Sequence, residues 1–129
     1  MQIHLSAEDY LETILMLSQR MGKVRSIDVV NELGYTKASV SIAMKKLREN
    51  GYIAVDGEGN LTLLEPGLEI AQRIYSRHRL LTHFFVQLGV DEQTAAEDAC
   101  KAEHILSEQT LEKIRESALR NDAAHPQAK

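Results

Sequence analysis

Thr36-Lys37-Ala38-Ser39-Val40-Ser41-Ile42-Ala43-Met44-Lys45-Lys46-Leu47-Arg48-Glu49-Asn50-Gly51 is the stretch on which the fold turns. Thr36 can cap a helix, because its hydroxyl accepts from an orphan amide of the first turn. Val40, Met44 and Leu47 recur at helical spacing as one inward stripe, and Asn50-Gly51 stops the helix. Lys37, Lys45, Lys46 and Arg48 outweigh Glu49, so the helix is locally basic in a chain of net charge −4. Just upstream, Ser26 is expected to cap a short helix from Ile27 to Leu33, ended by Gly34. Two short helices joined by a tight turn, the second basic and rich in small polar groups, spell a helix-turn-helix. Thr36, Lys37, Ser39, Ser41, Lys45 and Lys46 are what the second helix can offer to double-stranded DNA. A surface helix with ordinary lysines is the plainer alternative.

The residues that follow decide between the two. Tyr52-Ile53-Ala54-Val55 and Leu61-Thr62-Leu63-Leu64 are β-prone runs around the turn Asp56-Gly57-Glu58-Gly59-Asn60, which predicts a hairpin. A hairpin directly after a helix-turn-helix is the wing of a winged helix. Its tip carries Asp56 and Glu58 but neither lysine nor arginine, so a strong grip on phosphate is not expected there.

Ahead of this core, Ser6 opens a first helix whose apolar face is Tyr10, Leu11, Ile14, Leu15 and Leu17, with Gly22 as its stop. Asp9 and Glu12, three apart, lie side by side on it. Alone, they read as acids welcomed by the helix dipole. Pro66 suits the first turn of a long helix reaching Leu88, with Gly89 beyond it. Its apolar residues, among them Leu68, Ile70, Ile74, Leu80, Leu81, Phe84 and Phe85, exceed what one face needs. A long helix that is apolar on several sides is covered by its own domain on one side and often by another subunit on the other. His78 sits on this helix between Arg77 and Arg79. Asp91 caps the next helix, and Ser107 caps a last one through Leu111, Ile114 and Leu119.

Cys100-Lys101-Ala102-Glu103-His104 closes that penultimate helix. Residues three and four apart share a helical face, so Cys100, Glu103 and His104 would aim a thiolate, a carboxylate and an imidazole at one point. These are common ligands of divalent transition metals. A buried cysteine beside a surface Glu/His pair is the bland alternative.

Composition sets the outer limits. With 129 residues, 43% of them hydrophobic, and two prolines, the chain can bury a real core and reads as globular and helix-rich. One cysteine excludes an intrachain disulfide framework and fits a reducing cytosol. There is no membrane-length apolar run and no basic-then-apolar leader, so a cytoplasmic location is expected. The negative net charge argues mildly against a nucleic-acid binder. Yet Asp91, Glu92, Glu97, Asp98, Glu103 and Glu108 concentrate the acids late in the chain, away from the basic helix. No nucleotide-binding glycine loop is present. A metalloenzyme is disfavoured, because no separate general base accompanies the site.

In this order, the winged helix, long helix and acid-rich helical segment resemble the diphtheria toxin repressor family of metal-dependent regulators, which includes the manganese transport regulators. The resemblance spans Ser6 to about Ile114. It is carried by Glu8-Asp9-Tyr10-Leu11-Glu12, Arg77-His78-Arg79-Leu80-Leu81 and Cys100 through Ser107. It implies a metal set of Asp9, Glu12, His78, Cys100, Glu103 and His104. Cys100 stands where manganese regulators have a glutamate, and Asp9 stands where the iron-responsive style has a methionine. Thr82 and Ala96 depart from the iron style's ancillary site, so that second site is not expected, nor is the extra C-terminal SH3-like domain of that style.

The resemblance implies a homodimeric repressor activated by Mn²⁺ or Fe²⁺ bridging its two halves, with Co²⁺ or Zn²⁺ able to substitute in vitro. The target would be a palindromic operator. An alternative is a winged-helix regulator that responds to thiol oxidation at Cys100. The expected fold is mostly α. Residues 1–65 form a winged helix-turn-helix with a two-stranded wing, residues 66–120 an all-helical metal-binding and dimerisation domain, and residues 121–129 a disordered tail.

Overall fold

Helix α1 (Leu5–Met21) places Tyr10, Leu11, Ile14, Leu15 and Leu17 on one buried face, as their spacing requires. The computed structural model describes residues 5–124, so the tail at 125–129 lies outside the described residues, as does the side chain of Ser6. The helix is already under way at Leu5, one residue before the expected cap. The chain divides into two compact units, Met1–Arg73 and Ile74–Lys129.

In the first unit, α1 is followed by β1 (Val24–Arg25), α2 (Ser26–Leu33), α3 (Lys37–Glu49), β2 (Ile53–Val55), β3 (Asn60–Leu63) and the start of α4 (Glu65–Gln87). The three strands form an antiparallel sheet in the order β1-β3-β2, with Val24 opposite Leu61 and Ile53 opposite Leu63. The hairpin β2–β3 is the wing. Strand β1 is not foreseen by the sequence, because two residues are too few to show a period. Its pairing corrects the expected cap of α2. Arg25, held extended against Asn60, is the N-cap, and Ser26 is the first helical residue. The Asp28 carboxylate accepts from the Arg25 amide at 2.9 Å, the reciprocal half of a capping box.

Leu11, Ile14, Val24, Val29, Val40 and Ile53 are at most 1% exposed and form the centre of this unit. Gly67 in the first turn of α4 passes so close to the hairpin that an added Cβ would lie 2.2 Å from the Tyr52 carbonyl oxygen. Only glycine permits that approach.

The second unit consists of the rest of α4, α5 (Glu92–Ala102) and α6 (Glu108–Ala124). Leu81, Ala99 and Leu111 are its buried centre, with Leu80, Phe85, Ala102, Leu106 and Ile114 packed around them. Asp91 and Ser107 cap the two later helices as expected, accepting from the amides of Thr94 and Thr110 at 3.1 Å each. The expected tail is corrected at its start, since α6 continues to Ala124. Asn121 donates to Gln87 Oε1 at 3.0 Å, and Asp122 meets His83 Nε2 at 3.0 Å. Polar residues that look like tail in sequence are thus held against α4.

Candidate functional site

The basic helix α3 starts where Thr36 Oγ1 accepts the Ser39 amide at 3.1 Å and its hydroxyl donates to Ser39 Oγ at 2.9 Å. These bonds order the first turn of the helix. Burying Val40, Met44 and Leu47 turns Lys37, Ser39, Ser41, Lys45 and Lys46 to the surface. A groove of about 280 Å³ runs between this helix and the wing, lined by Ser26, Ser41, Met44, Lys45, Arg48 and Val55. Arg48 therefore belongs with the cationic residues of this face. In the sequence its charge reads only as part of a basic helix, although its i+3 spacing from Lys45 is the signal that places it on this face.

The wing tip has a different task. Asp56 Oδ1 accepts the amides of Glu58 and Asn60 at 2.9 Å each, and Oδ2 accepts the Asn60 side-chain amide at 3.0 Å. These bonds, the Asn60 amide first, hold the Asp56 carboxyl below the usual carboxylate range. Asp56 shapes the turn.

Of the expected metal ligands, Asp9 and Glu12 belong to α1 in the first unit, where Asp9 is half-buried and Glu12 is buried at 4% exposure. His78, Cys100, Glu103 and His104 belong to the second unit. The acid-rich helix ends at Ala102. Glu103 is its C-cap in right-handed helical geometry (φ −60°, ψ −21°) and donates its amide to the Ala99 carbonyl at 2.9 Å. The helical reach from Cys100 to Glu103 therefore survives the helix end, and His104 follows in the turn.

Glu103 is 0% exposed. His78 Nδ1 lies 2.9 Å from one of its carboxylate oxygens, and His104 Nε2 lies 3.4 Å from the other. The two imidazoles are largely buried as well, with side-chain exposures of 20% and 6%. The structure thus brings together His78, Glu103 and His104. Cys100 lies on the exposed side of α5, next to buried Ala99.

Arg77, one residue before His78, carries no role in the sequence reading. Its Nη1 donates to the Glu103 main-chain carbonyl at 3.1 Å and its Nη2 to the Glu108 carboxylate. One guanidinium thereby ties the end of α5 and the start of α6 to α4.

A buried carboxylate flanked by two imidazoles offers hard oxygen and borderline nitrogen donors. That chemistry fits a divalent first-row transition ion, and burial excludes competing water. Burying a carboxylate is costly unless it is paired, and here an imidazole nitrogen stands beside each of its oxygens.

A winged helix-turn-helix joined to a helical unit with such a cluster defines the class of metal-responsive transcriptional regulators. Residues 3–61 match the iron dependent repressor N-terminal DNA binding domain, and residues 64–126 match the iron dependent repressor metal binding and dimerisation domain. The chain belongs to the iron-dependent repressor family.

It is 37% identical over 112 residues to an uncharacterised HTH-type transcriptional regulator of Methanocaldococcus jannaschii, covering 85% of this chain and 90% of that one. It is 34% identical over 109 residues to the HTH-type transcriptional regulator MntR of Bacillus subtilis, covering 84% and 77%. A solved structure of a manganese-dependent transcriptional repressor in complex with manganese superposes with a TM-score of 0.80 at 28% identity. It covers 87% of this chain and 52% of that one. The manganese regulator SloR gives a TM-score of 0.74 at 27% identity, covering 85% and 52%. The chain spans about half the length of these solved relatives. The Methanocaldococcus jannaschii and Bacillus subtilis relatives and the manganese-bound structure are named as transcriptional regulators or repressors, and none of them supports a thiol-triggered alternative. Among the described residues no helix is long and apolar enough to cross a membrane.

Proposed function

We propose that the protein is a homodimeric repressor of metal-ion homeostasis, activated by Mn²⁺ or Fe²⁺ and binding a palindromic operator upstream of metal-uptake genes in the cytoplasm. The supporting observation is the buried Glu103 carboxylate with His78 and His104 at its two oxygens. We assign the ion to Asp9, Glu12, His78, Cys100, Glu103 and His104, following the family resemblance residue by residue. When bound, the ion supplies positive charge that offsets repulsion among the carboxylates.

The division of labour follows from the chain. Asp9 and Glu12 lie on α1 of the DNA-binding unit, and the other four lie in the helical unit. Ligands shared between the units would couple them, and in a dimer this would set the separation of the two α3 helices. Recognition helices enter successive major grooves only at a separation near one DNA turn or a multiple of it. Such a population shift requires the ligand set to hold the ion more tightly in the binding-competent state. Lys37, Lys45 and Lys46 would then meet phosphates, and Thr36, Ser39 and Ser41 would meet base edges or backbone. The carboxylates favour Mn²⁺, and a manganese-bound relative supports that ion. A ligating Cys100 thiolate would shift the preference towards Fe²⁺.

The test is an anaerobic titration of Mn²⁺ or Fe²⁺ into the protein with a duplex selected from a randomised inverted-repeat pool. The wild type should gain duplex affinity on metal addition, and His104→Ala and Asp9→Ala should lose that gain. If all three bind alike without metal dependence, the mechanism fails.

A further inference from the structure

Ile42 is 59% exposed, the most exposed large apolar side chain among the described residues of the first unit. It lies half a turn from buried Val40 and Met44, on the side of α3 opposite the inward stripe. Ala38 and Ser39 one turn earlier, and Lys45 and Lys46 one turn later, share that side. Folding does not account for an isoleucine here. The residue buries little, and a β-branched side chain is a poorer helix former than alanine. A protein partner is also a poor match, because the surrounding serines and lysines do not make a contiguous apolar patch.

The major groove offers a better one. A hydrocarbon side chain cannot bond to the donors and acceptors on the base edges, and the apolar group displayed there is the thymine 5-methyl. We propose that Ile42 is a specificity-determining residue that packs on a thymine 5-methyl in each half-site, while Lys45 and Lys46 hold the flanking phosphates. This inference rests on reading α3 as the recognition helix.

The experiment uses the full chain with saturating Mn²⁺ and a duplex selected by the wild type from a randomised inverted-repeat pool. Each thymine of the selected duplex is replaced in turn, in both half-sites, by deoxyuridine, which removes only the methyl group. At one symmetric position the replacement should weaken wild-type binding roughly fourfold per half-site, the effect of losing one buried methyl, and roughly fifteenfold for both. Ile42→Ala should bind the thymine duplex more weakly and be indifferent to deoxyuridine at that position. Ile42→Val should fall between the two. Because the side chain is exposed, these variants should unfold no earlier than the wild type and keep its metal affinity.

The inference is overturned if no thymine-to-deoxyuridine change costs the wild type more than about twofold, or if Ile42→Ala shows the same cost. Selection of no duplex with or without metal would overturn the regulator reading and this inference together. A selected duplex with no methyl dependence would overturn this inference alone.

Discussion

On α3 the groups proposed to meet DNA are exposed, lie within one helix and have already been turned outward by the burial of Val40, Met44 and Leu47. Around Glu103 the functional groups are buried and come from separate elements, His78 and Arg77 from α4 and His104 from the turn after α5. The first arrangement suits a ligand that is large, polyanionic and approached from solvent. Its energy comes from many weak, salt-screened interactions, and the removal of one is tolerable. The second suits a small, strongly charged ligand, which needs a few donors held at fixed positions and shielded from water. Substitutions should therefore act steeply and cooperatively in the buried cluster, and in small increments on the open face.

Arg77→Ala should give the largest effect. Losing the donor to the buried Glu103 carbonyl should cost about 1–3 kcal/mol of unfolding free energy. Releasing the turn that carries the proposed ligands Glu103 and His104 should lower metal affinity on the order of tenfold or more. Urea unfolding and a Co²⁺ absorption titration measure the two effects. An unchanged Co²⁺ affinity would mean that the turn holds its shape without α4 and would blur the contrast.

Lys45→Ala should leave metal affinity unchanged. It should weaken duplex binding severalfold and reduce the salt slope by about 0.9 for each phosphate that is no longer neutralised. Binding measured across a salt series checks this, and an unchanged slope would remove Lys45 from the phosphate-facing set.

The smallest effect belongs to the wing. The Asp56 carboxyl is lowered in the folded protein by the Asn60 amide, then by the Asn60 side chain, against a smaller opposing effect of desolvation. A lowered folded pKa stabilises the protein above the group's ordinary value, and that stability is lost as pH falls through the folded value. Asp56→Ala should thus narrow its stability gap to the wild type as thermal unfolding is followed from about pH 6 to about pH 2. A gap that does not change with pH would mean that the wing turn is held by its glycines and backbone alone.

Much of the molecule is legible in the sequence because its signals are local. Thr36, Asp91 and Ser107 cap helices with amides three residues away, and the wing follows from two β-prone runs around a glycine-rich turn. The features that are not legible depend on distant partners. Val24-Arg25 is a strand only because β3 lies beside it, and that pairing moves the cap of α2 from Ser26 to Arg25. Asn121 and Asp122 lie within α6 and bond to Gln87 and His83 of α4, although their composition suggests a tail.

The sequence by itself determined the order of elements, the exposed cationic side of α3 and the residue types gathered near Cys100. Helix period, capping and turn chemistry act within a few residues and need no tertiary partner. Only the tertiary structure decided that His78 meets the Glu103 carboxylate, and that Arg77 holds the carbonyl of the same residue. Those pairs lie 25 and 26 positions apart along the chain. Their meeting depends on the packing of Leu81, Ala99 and Leu111, which brings α4 against α5 and α6. Spacing along one helix cannot encode such a meeting, because the geometry is set by the shared core.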